Sequence, residues 1–590
     1  MKWILAESDK SAATALAESV GLHPLIAQLM VNRGITEASV ARSFLACDLS
    51  TLSEPGIFSQ MQKAVARIRA AVKAGEKITV YGDYDVDGVT GSSLLYLALQ
   101  EVGAQVECYI PDRMTEGYGL NARALETLHA SGTRLVISVD CGITALQEAK
   151  AARGLGLDLI ITDHHEIDRV NGSKDFNLPD AYAVLHPSLL EENVSSLVRE
   201  QVRGLTGVGV AFKLAQALLG VKAGDERLLR YLDLVTLGTV ADVGRITGEN
   251  RILVKHGLVA LSSDSDKQRP GVAALKRVSG LEGKKIGVGS VGFSLAPRIN
   301  AGGRLERADT AFRLLTTDSP EKAQEFASAL DTINRERQAV EEVVWKEARG
   351  QCRGIDTTAV GALVLASDRW HPGVIGIVAS RLVEEFFRPA ALISLKNGVG
   401  KGSARSIPGF DLYEGLKACS DLLLGFGGHK YAAGFTISEG NIPELQDRLS
   451  ALVLEHVGSQ GFVRTLSVDG SVTLNELSLE LVQEIEKLSP FGQGNPEPRL
   501  GARDLAVVSS RIVGNNHLKL RLRQQGGSVL DAIAFNRGAL HGTQTKDGAR
   551  LAAVFTPRLN VWNGNQSVQL EIRDIKIEKE HSNNQITNTK

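Results

Sequence analysis

The stretch Leu157-Asp-Leu-Ile-Ile-Thr-Asp-His-His165 is a short, β-branched, nearly continuous apolar run that stops at an acid followed by two imidazoles. Runs of this kind are how the strands of a parallel sheet read when both faces are covered. Two more lie upstream, Lys77-Ile-Thr-Val-Tyr81 and Leu135-Val-Ile-Ser-Val139. Each is also followed by aspartate, in Tyr81-Gly-Asp-Tyr-Asp-Val-Asp-Gly88 and in Val139-Asp-Cys-Gly142. Helix-like stretches, Gly88–Val102, Asn121–Ser131 and Thr144–Ala152, separate and follow the strands. This alternation predicts an α/β fold with a doubly wound parallel sheet. Ligands of such sheets bind beyond the carboxyl ends of the strands, where Asp83, Asp85, Asp140 and Asp163 all fall.

A fourth acidic segment, Thr239-Val-Ala-Asp-Val243, is expected at another strand end or turn. Together the segments offer about five carboxylates and two imidazoles without a thiolate, a donor set that suits two Mn²⁺ or Mg²⁺ ions better than a structural zinc. Two such cations are the equipment of hydrolytic phosphoryl transfer. Simpler readings compete. Asp-x-Asp-x-Asp-Gly at 83–88 also opens a calcium loop, but that loop needs a bidentate Glu at its twelfth position and flanking helices. Position 94 is Leu, and a strand precedes the motif. A lone Asp after a strand is usually a helix N-cap or turn former, and paired histidines in a loop are usually surface residues. Recurrence of acidic sites within one fold unit outweighs these readings.

The same motifs, in this order, are similar to those of the DHH phosphoesterases, and among them to the bacterial single-strand-specific exonucleases. The resemblance is carried by Asp83-Tyr-Asp-Val-Asp-Gly88, Ser138-Val-Asp-Cys-Gly142, Asp163-His-His165 and Gly238-Thr-Val-Ala-Asp-Val243. It continues through Gly117-Tyr-Gly-Leu120, Ala296-Pro-Arg-Ile-Asn-Ala-Gly-Gly-Arg304, Trp370–Arg381, Lys401-Gly-Ser-Ala-Arg-Ser406 and Gly427-Gly-His-Lys-Tyr-Ala-Ala-Gly434. It implies two cations bridged by Asp140 and Asp242, with Asp83 on one and Asp85 and His164 on the other. Asp163 would orient the histidine pair, and His165 would polarise the scissile phosphate. Arg113, Ser403 and Arg405 would hold a 5′-phosphate. Strand passage is expected near Arg298 and Arg304, with Asn300, His371, Gly427, Gly428 and His429 as further substrate contacts.

The implied activity is 5′→3′ hydrolysis of single-stranded DNA to mononucleotides in DNA repair and recombination, by a monomer fed by a DNA helicase and a single-strand-binding protein. Short-oligonucleotide or pAp phosphatases use the same two lobes, but lack a counterpart of residues 460–577. DHH pyrophosphatases are shorter and carry a histidine four residues before the first aspartate, where this chain has Thr79. Non-catalytic replication scaffolds of the superfamily lose ligands that are all present here.

Composition sets the remaining bounds. At 590 residues the chain should hold about three to four domains, and 43% hydrophobic with 23% charged residues is ordinary for a globular protein. No apolar run reaches the ~18 residues of a membrane span, and the N-terminus lacks a secretory pattern. The five cysteines show no CxxC spacing, as in a reducing compartment, and a cytoplasmic protein is expected. A net charge of −2 is not a DNA binder's global footprint. Binding must therefore use local basic groups such as Lys396, Lys401 and Arg405, or Lys519, Arg521 and Arg523.

Pattern changes divide the chain into a helical cap on the first domain (1–45), the metal-bearing domain (46–265), connecting helices (266–350), a second α/β domain (351–455), a small β-barrel (460–577) and a disordered tail (578–590); the resemblance implies that the second α/β domain binds substrate and that the barrel is an OB-fold. Ser319 as N-cap and Pro320 at N1 open a long amphipathic helix to about Gly350, with Ala323, Phe326, Ala327, Leu330, Ile333, Val340, Val343 and Val344 on its apolar face. In the second lobe, Ala359–Ser367 and Ala390–Leu395 read as strands, and His371–Glu385 and Asp411–Cys419 as helices. Gly427–Gly434 reads as backbone open to a ligand. In the barrel, His517–Arg523 and Val568–Ile575 alternate strictly, Trp562–Asn565 supplies a hairpin turn, and Phe555 and Trp562 are candidates either for stacking or for the core.

Overall fold

The computed structural model describes residues 1–578 apart from 8, 113–115, 118, 171–172, 174, 265–267, 306–307, 357–358 and 459–460. Arg113 and nearly all of the tail, two subjects of the sequence reading, therefore lie outside the described residues. The chain forms two compact units, Leu49–Val463 and Met1–Asp48 with Arg464–Lys590.

In the larger unit, β1 (Lys77–Gly82), β2 (Gln105–Tyr109), β3 (Thr133–Val139), β4 (Asp158–Thr162) and β5 (Ala183–Leu185) form a parallel sheet in the order β2-β1-β3-β4-β5. The three strands read from sequence sit at its centre, and β2 and β5 are the shorter or more polar strands that periodicity missed. Side chains alternate between two cores: Ile78, Val80, Leu135, Ile137 and Ile160 enter one, and Val136, Leu159, Ile161 and Val184 the other. Each such side chain contributes about 1.5–3 kcal/mol by leaving water.

On the first face, α1 (Val86–Glu101) is buried throughout its first half, against α4 (Gly207–Leu219) and α5 (Leu232–Ala241). Gly91 in α1 keeps α4 close: a methyl added there would lie 3.2 Å from Val208 Cα. On the other face lie α2 (Ala122–Ala130) and α3 (Leu146–Leu155), whose Leu125, Leu128, Ala149 and Ala152 face β3 and β4.

Next comes α6 (Ala296–Leu305), followed by α7 (Pro320–Cys352), a helix of 33 residues and hence about 50 Å long. Ser319 caps α7 by accepting from the Lys322 amide at 3.2 Å. Ala323, Ala327, Leu330 and Ile333 join the first lobe's core, while Val344, Ala348 and Cys352 join the second's. Val343, expected on the apolar face, is exposed.

The second lobe is a mixed sheet of β6 (Leu363–Ser367), β7 (Ala390–Lys396), β8 (Val399–Arg405), β9 (Leu423–His429) and β10 (Ala432–Ser438), in the order β9-β10-β8-β7-β6, with α8 (Ile375–Phe386) against it. The Gly427–Gly434 segment is an antiparallel hairpin on the sheet edge. Its glycines hide the alternation by which strands are recognised.

The second unit holds β11 (Leu500–Val513), β12 (His517–Gln524), β13 (Val529–Ala534), β14 (Arg550–Trp562) and β15 (Asn565–Ile577). They pair in the order β11-β12-β13-β15-β14 and close through β14–β11, a five-stranded barrel. Asn563 and Gly564, both at positive φ, make the β14–β15 turn, as Asn-Gly turns do. Phe555 is fully buried in the barrel core, which corrects its reading as a stacking aromatic. The Trp562 side chain lies outside what is described. The N-terminal segment is also reassigned: strand Lys2–Leu5 pairs with Thr465–Val468, and Leu16, Ile26, Leu29 and Met30 share one core with Leu481, Leu518 and Leu570. Their apolar faces are completed by a segment more than 400 residues away in sequence, a pairing that local pattern does not encode.

Candidate metal centre

The strand order reverses between β1 and β3, so the crevice of this sheet opens beyond their carboxyl ends. The ladder runs on into the acidic residues themselves. The Asp83 amide donates to Val139 O (3.2 Å), Asp140 to Thr162 O (2.9 Å) and Asp163 to Leu185 O (3.1 Å). Each aspartate is thus the first residue whose side chain leaves the sheet. Asp140 has φ 64°, a left-handed conformation that Asp adopts more readily than most residues. Asp242 differs from its expected place. It is the C-cap of α5, not a strand end, and it reaches the same cluster because α5 packs against α1.

Ligand atoms of Asp83, Asp85 and Asp140 lie within 4.8 Å of one another, as do those of Asp140, His164 and His165, and those of Asp87, His164 and Asp242. All five expected ligands therefore converge. Asp85 stands with Asp83 and Asp140, and its Oδ1 also accepts from the Asp87 (2.9 Å) and Gly88 (3.1 Å) amides as the N-cap of α1.

Sequence reasoning missed Asp87, although it is the third acid of the quoted motif. It is buried and accepts from the Gly207 (2.6 Å) and Val208 (3.0 Å) amides and from Thr206 Oγ1 (3.3 Å) at the start of α4. His186, after the three-residue β5, was also missed, and a lone histidine gave no signal. Its Nδ1 accepts from the Ser188 amide (3.0 Å), which leaves Nε2 to donate to His165 O (2.8 Å). Thr79, the departure from the pyrophosphatase pattern, is buried in mid-strand. Its hydroxyl lies 2.8 Å from Thr133 Oγ1 and 3.0 Å from Glu107 Oε1, and it adds no ligand.

Asp163 serves the histidine pair. Its Oδ1 accepts from His165 Nδ1 (2.7 Å) and from the His164 (2.7 Å) and His165 (3.2 Å) amides, and its Oδ2 from the Ile143 amide (2.9 Å). Burial works against the His165 charge, but the bond to Asp163 and the field of Asp163, Asp242 and Asp85 outweigh it and hold its pKa at about 9. Burial also opposes the Asp163 charge, and the bond to His165 overrides it, lowering Asp163 to about 2. His164, buried beside His165, falls to about 3 and is therefore a neutral imidazole with a lone pair.

The donor set fits divalent cations. Neutral His164 Nε2 makes no hydrogen bond among the described residues, yet lies 3.1 Å from Asp140 Oδ1, 3.8 Å from Asp87 Oδ2 and 3.9 Å from Asp242 Oδ2. Burial, reinforced by neighbouring aspartates, raises Asp87 to about 7 and Asp242 to about 8 and pushes Asp140 well above the carboxylate range. Acids crowded this closely repel one another until cations neutralise them.

Of the expected substrate residues, Arg298, Asn300 and Arg304 lie on α6, and His371, Ser403, Arg405, Gly427, Gly428 and His429 lie in the second lobe. On α6, a methyl added to Gly303 would lie 2.6 Å from Tyr84 O, so the helix touches the Asp83–Asp85 loop. The next residue, Arg304, donates to Gly373 O (3.1 Å) just before α8. His371 Nδ1 accepts from the Gly373 amide (3.0 Å) in the same turn. Arg298, expected beside a passing strand, pairs with Asp331 of α7 at 2.9 Å, and Asn300 is half-buried on α6.

In the second lobe, Arg405 Nη1 donates to Ser403 Oγ (3.1 Å). A methyl added to Gly376, in the first turn of α8, would lie 2.8 Å from Ser403 Oγ and 3.0 Å from Arg405 Nη2. Ser403, Gly434 and Gly427 stand in register across three strands, as do Arg405, Ala432 and His429. Gly427 has open space where a side chain would be, so bare backbone borders Ser403 and Arg405. Gly428, at φ 141°, lies between Gly427 and His429 on the edge strand.

A sheet with acids and imidazoles at its switch point, followed by a smaller lobe, defines a DHH-type phosphoesterase. Residues 77–239 match the DHH family N-terminal domain, 358–455 the DHHA1 domain and 468–574 the RecJ OB domain. The chain is 39% identical over 583 residues to the single-stranded-DNA-specific exonuclease RecJ of Bacillus subtilis, covering 98% of this chain and 71% of that protein. It is 34% identical to the Escherichia coli RecJ, covering 94% and 96%. Its fold matches the crystal structure of Thermus thermophilus RecJ in complex with Mn²⁺, with a TM-score of 0.81, 30% identity, and 98% and 80% of the two chains covered. A Mg²⁺ complex of the same protein matches with a TM-score of 0.74. The chain belongs to the RecJ family. No single helix among the described residues is long and apolar enough to cross a membrane.

Proposed function

We propose that this chain is a divalent-cation-dependent exonuclease that degrades single-stranded DNA from its 5′ end and releases mononucleotides. The observation that carries this reading is one helix, α6, whose end touches the metal-ligand loop through Gly303 and the second lobe through Arg304. The acidic cluster and the lobe that carries Ser403 and Arg405 thereby border one element.

Asp83, Asp85, Asp140, His164 and Asp242, with Asp87 beside them, would hold the cations, which supply an acidified water and neutralise charge on the phosphate. Asp163 keeps His165 protonated to about pH 9 through Nδ1, so that Nε2–H, the ring's second donor, meets a phosphate oxygen. Ser403, Arg405 and the first-turn amides of α8 suit a terminal phosphate, because a helix N-terminus and a guanidinium both favour anions. Gly427 leaves room for the sugar-phosphate backbone, and Gly428, His429 and Arg113 complete the expected pocket. A 5′-phosphate seated there would set both direction and product length. The barrel, with Lys519 half-buried and Arg521 and Arg523 exposed on β12, would bind single-stranded DNA. Within a cell, a helicase and a single-strand-binding protein are the partners this activity calls for, with the chain acting as a monomer in the cytoplasm.

The test uses purified protein, Mn²⁺ or Mg²⁺, and long single-stranded DNA labelled at one end or the other, with duplex DNA and an Asp140→Ala variant as controls. Early release of labelled mononucleotide from the 5′-labelled strand, abolished by EDTA and by the substitution, is the expected result. Turnover of di- to pentanucleotides with an intact long strand would move the assignment to short-oligonucleotide phosphatases. Arg405→Ala should remove preference for 5′-phosphorylated ends, and full retention of that preference would refute the pocket.

A further inference from the structure

The residue that follows Asp242 is held in a conformation its side chain opposes. Val243 has φ 58°, in the left-handed region where a β-branched residue is a genuine outlier. It stands just past the C-cap of α5, the position that helices ordinarily give to glycine. The helix nevertheless closes with both bonds of the glycine turn: the Val243 amide donates to Val240 O (3.2 Å) and the Gly244 amide to Thr239 O (2.9 Å). Burial does not offset the misfit, because Val243 is 68% exposed. Packing one residue later holds the turn. A methyl added to Gly244 would lie 2.5 Å from Thr206 Cγ2 and 3.0 Å from Thr239 O, so the chain is pressed against the N-cap residue of α4. Strained backbone of this kind persists only where its surroundings over-determine it, and it gathers at functional sites.

Asp242 is the group on which this strain bears. The carboxylates of Asp85, Asp87 and Asp163 are each fixed by amide donors, whereas no hydrogen bond reaches the Asp242 carboxylate among the described residues. Its side chain is also the more accessible, at 28% against 0% for Asp87 and 3% for Asp140. Ligand oxygens of Asp242 and Asp87 lie within 4.8 Å of each other. Two effects therefore act against the closed end of α5: repulsion between neighbouring carboxylates, and the cost of keeping Val243 left-handed. A cation between the carboxylates reverses the first and must overcome the second.

We infer that Val243 is a positioning residue that makes Asp242 a conditional ligand: in the cation-free protein the closed turn at the end of α5 exchanges with a relaxed one that carries the carboxylate out of the cluster, and cation binding selects the closed turn. The inference rests on the two-cation reading of the site and concerns how that site is assembled. A ligand set that is complete only part of the time binds more weakly in proportion to that fraction. Val243 thereby sets the cation affinity below what the same ligands would give on a relaxed helix end.

The experiment titrates the cation-free, full-length protein with Mn²⁺ in a calorimeter, comparing wild type with Val243→Gly, Val243→Ala and Asp242→Ala, with melting curves to verify that each is folded. Both end states are folded, so the effect of glycine on the unfolded chain does not enter the affinity. A left-handed residue other than glycine costs about 1–2 kcal/mol, and at about 1.4 kcal/mol per tenfold Val243→Gly should bind Mn²⁺ roughly 5- to 30-fold more tightly. Val243→Ala removes the branched side chain but keeps a Cβ in the left-handed turn, and should stay closer to wild type than to Val243→Gly. Unchanged or weaker Mn²⁺ binding in Val243→Gly would overturn the inference, because packing would then hold the turn closed with and without the cation. Equal tightening in Val243→Ala would overturn it too, by assigning the effect to the side chain and not to the backbone. A wild-type protein that binds no Mn²⁺, or binds it as tightly after Asp242→Ala, would instead overturn the reading of the metal centre.

Discussion

Adding one methyl at Gly207 perturbs the metal centre without replacing any candidate ligand. A Cβ there would lie 2.5 Å from Asp140 Cβ, 2.6 Å from its Oδ1 and 2.7 Å from its Cγ. Non-bonded carbons rest at about 3.5–4.0 Å, so Asp140 and the start of α4 must separate by about 1 Å. The clash is with Cβ, the least mobile side-chain atom, so a rotamer change does not relieve it. The Asp140 backbone is held by its amide bond to Thr162 O (2.9 Å). The α4 side is held as firmly, because the Gly207 amide donates to Asp87. A displacement of ~1 Å in a catalytic array costs on the order of 10²-fold in rate, and overpacking costs about 1–3 kcal/mol of stability. Gly207→Ala should therefore fold, melt modestly lower and lose about 10²-fold in kcat on single-stranded DNA. Its Mn²⁺ requirement should rise, because Asp140 belongs to two of the candidate ligand groups. Steady-state kinetics across a Mn²⁺ titration, with melting curves, measure all three. Wild-type kcat and metal dependence in a folded Gly207→Ala protein would show that Asp140 does not need this close approach.

Three further outcomes are expected. Folding raises Asp87 to about 7 and Asp242 to about 8, so between the ordinary carboxylate pKa of about 3.9 and pH 8 the native state binds more protons than the unfolded chain. Cation-free stability from these groups must fall as pH rises through that window and level off above it. The gain in melting temperature on adding Mn²⁺ should accordingly be larger at pH 8 than at pH 5.5, and an equal or reversed gain would contradict the assignment. Asp87→Asn places an NH₂ or a single acceptor against the donors of Thr206, Gly207 and Val208. Thermal melting or denaturant titration should show about 1–3 kcal/mol of lost stability. His186→Ala removes the donor to His165 O. It should weaken Mn²⁺ binding by roughly 10- to 100-fold in a calorimetric titration, with His186→Gln recovering part of the loss.

Much of the metal lobe was legible along the chain because its signals are local. Apolar β-branched runs, each ending in an acid, identify buried parallel strands. The carboxyl-end rule then brings Asp83, Asp85, Asp140 and Asp163 to one crevice before any contact is known. The cap at Ser319 and the alternation over His517–Arg523 are equally local, and both elements lie where they were read. By themselves these patterns determined the α/β class, a pooled site of carboxylates and imidazoles, and a β-barrel near the C-terminus.

Tertiary structure decided what depends on partners distant in sequence. Asp242 joins the site because α5 packs on α1, and Asp87 is held by the amides of α4. Phe555 is core because the barrel closes around it. Residues 1–48 belong with the barrel because their apolar faces are completed there and not by the strands that follow them. Periodicity records which side of an element avoids water, whereas the identity of the covering surface is set only when the chain closes on itself.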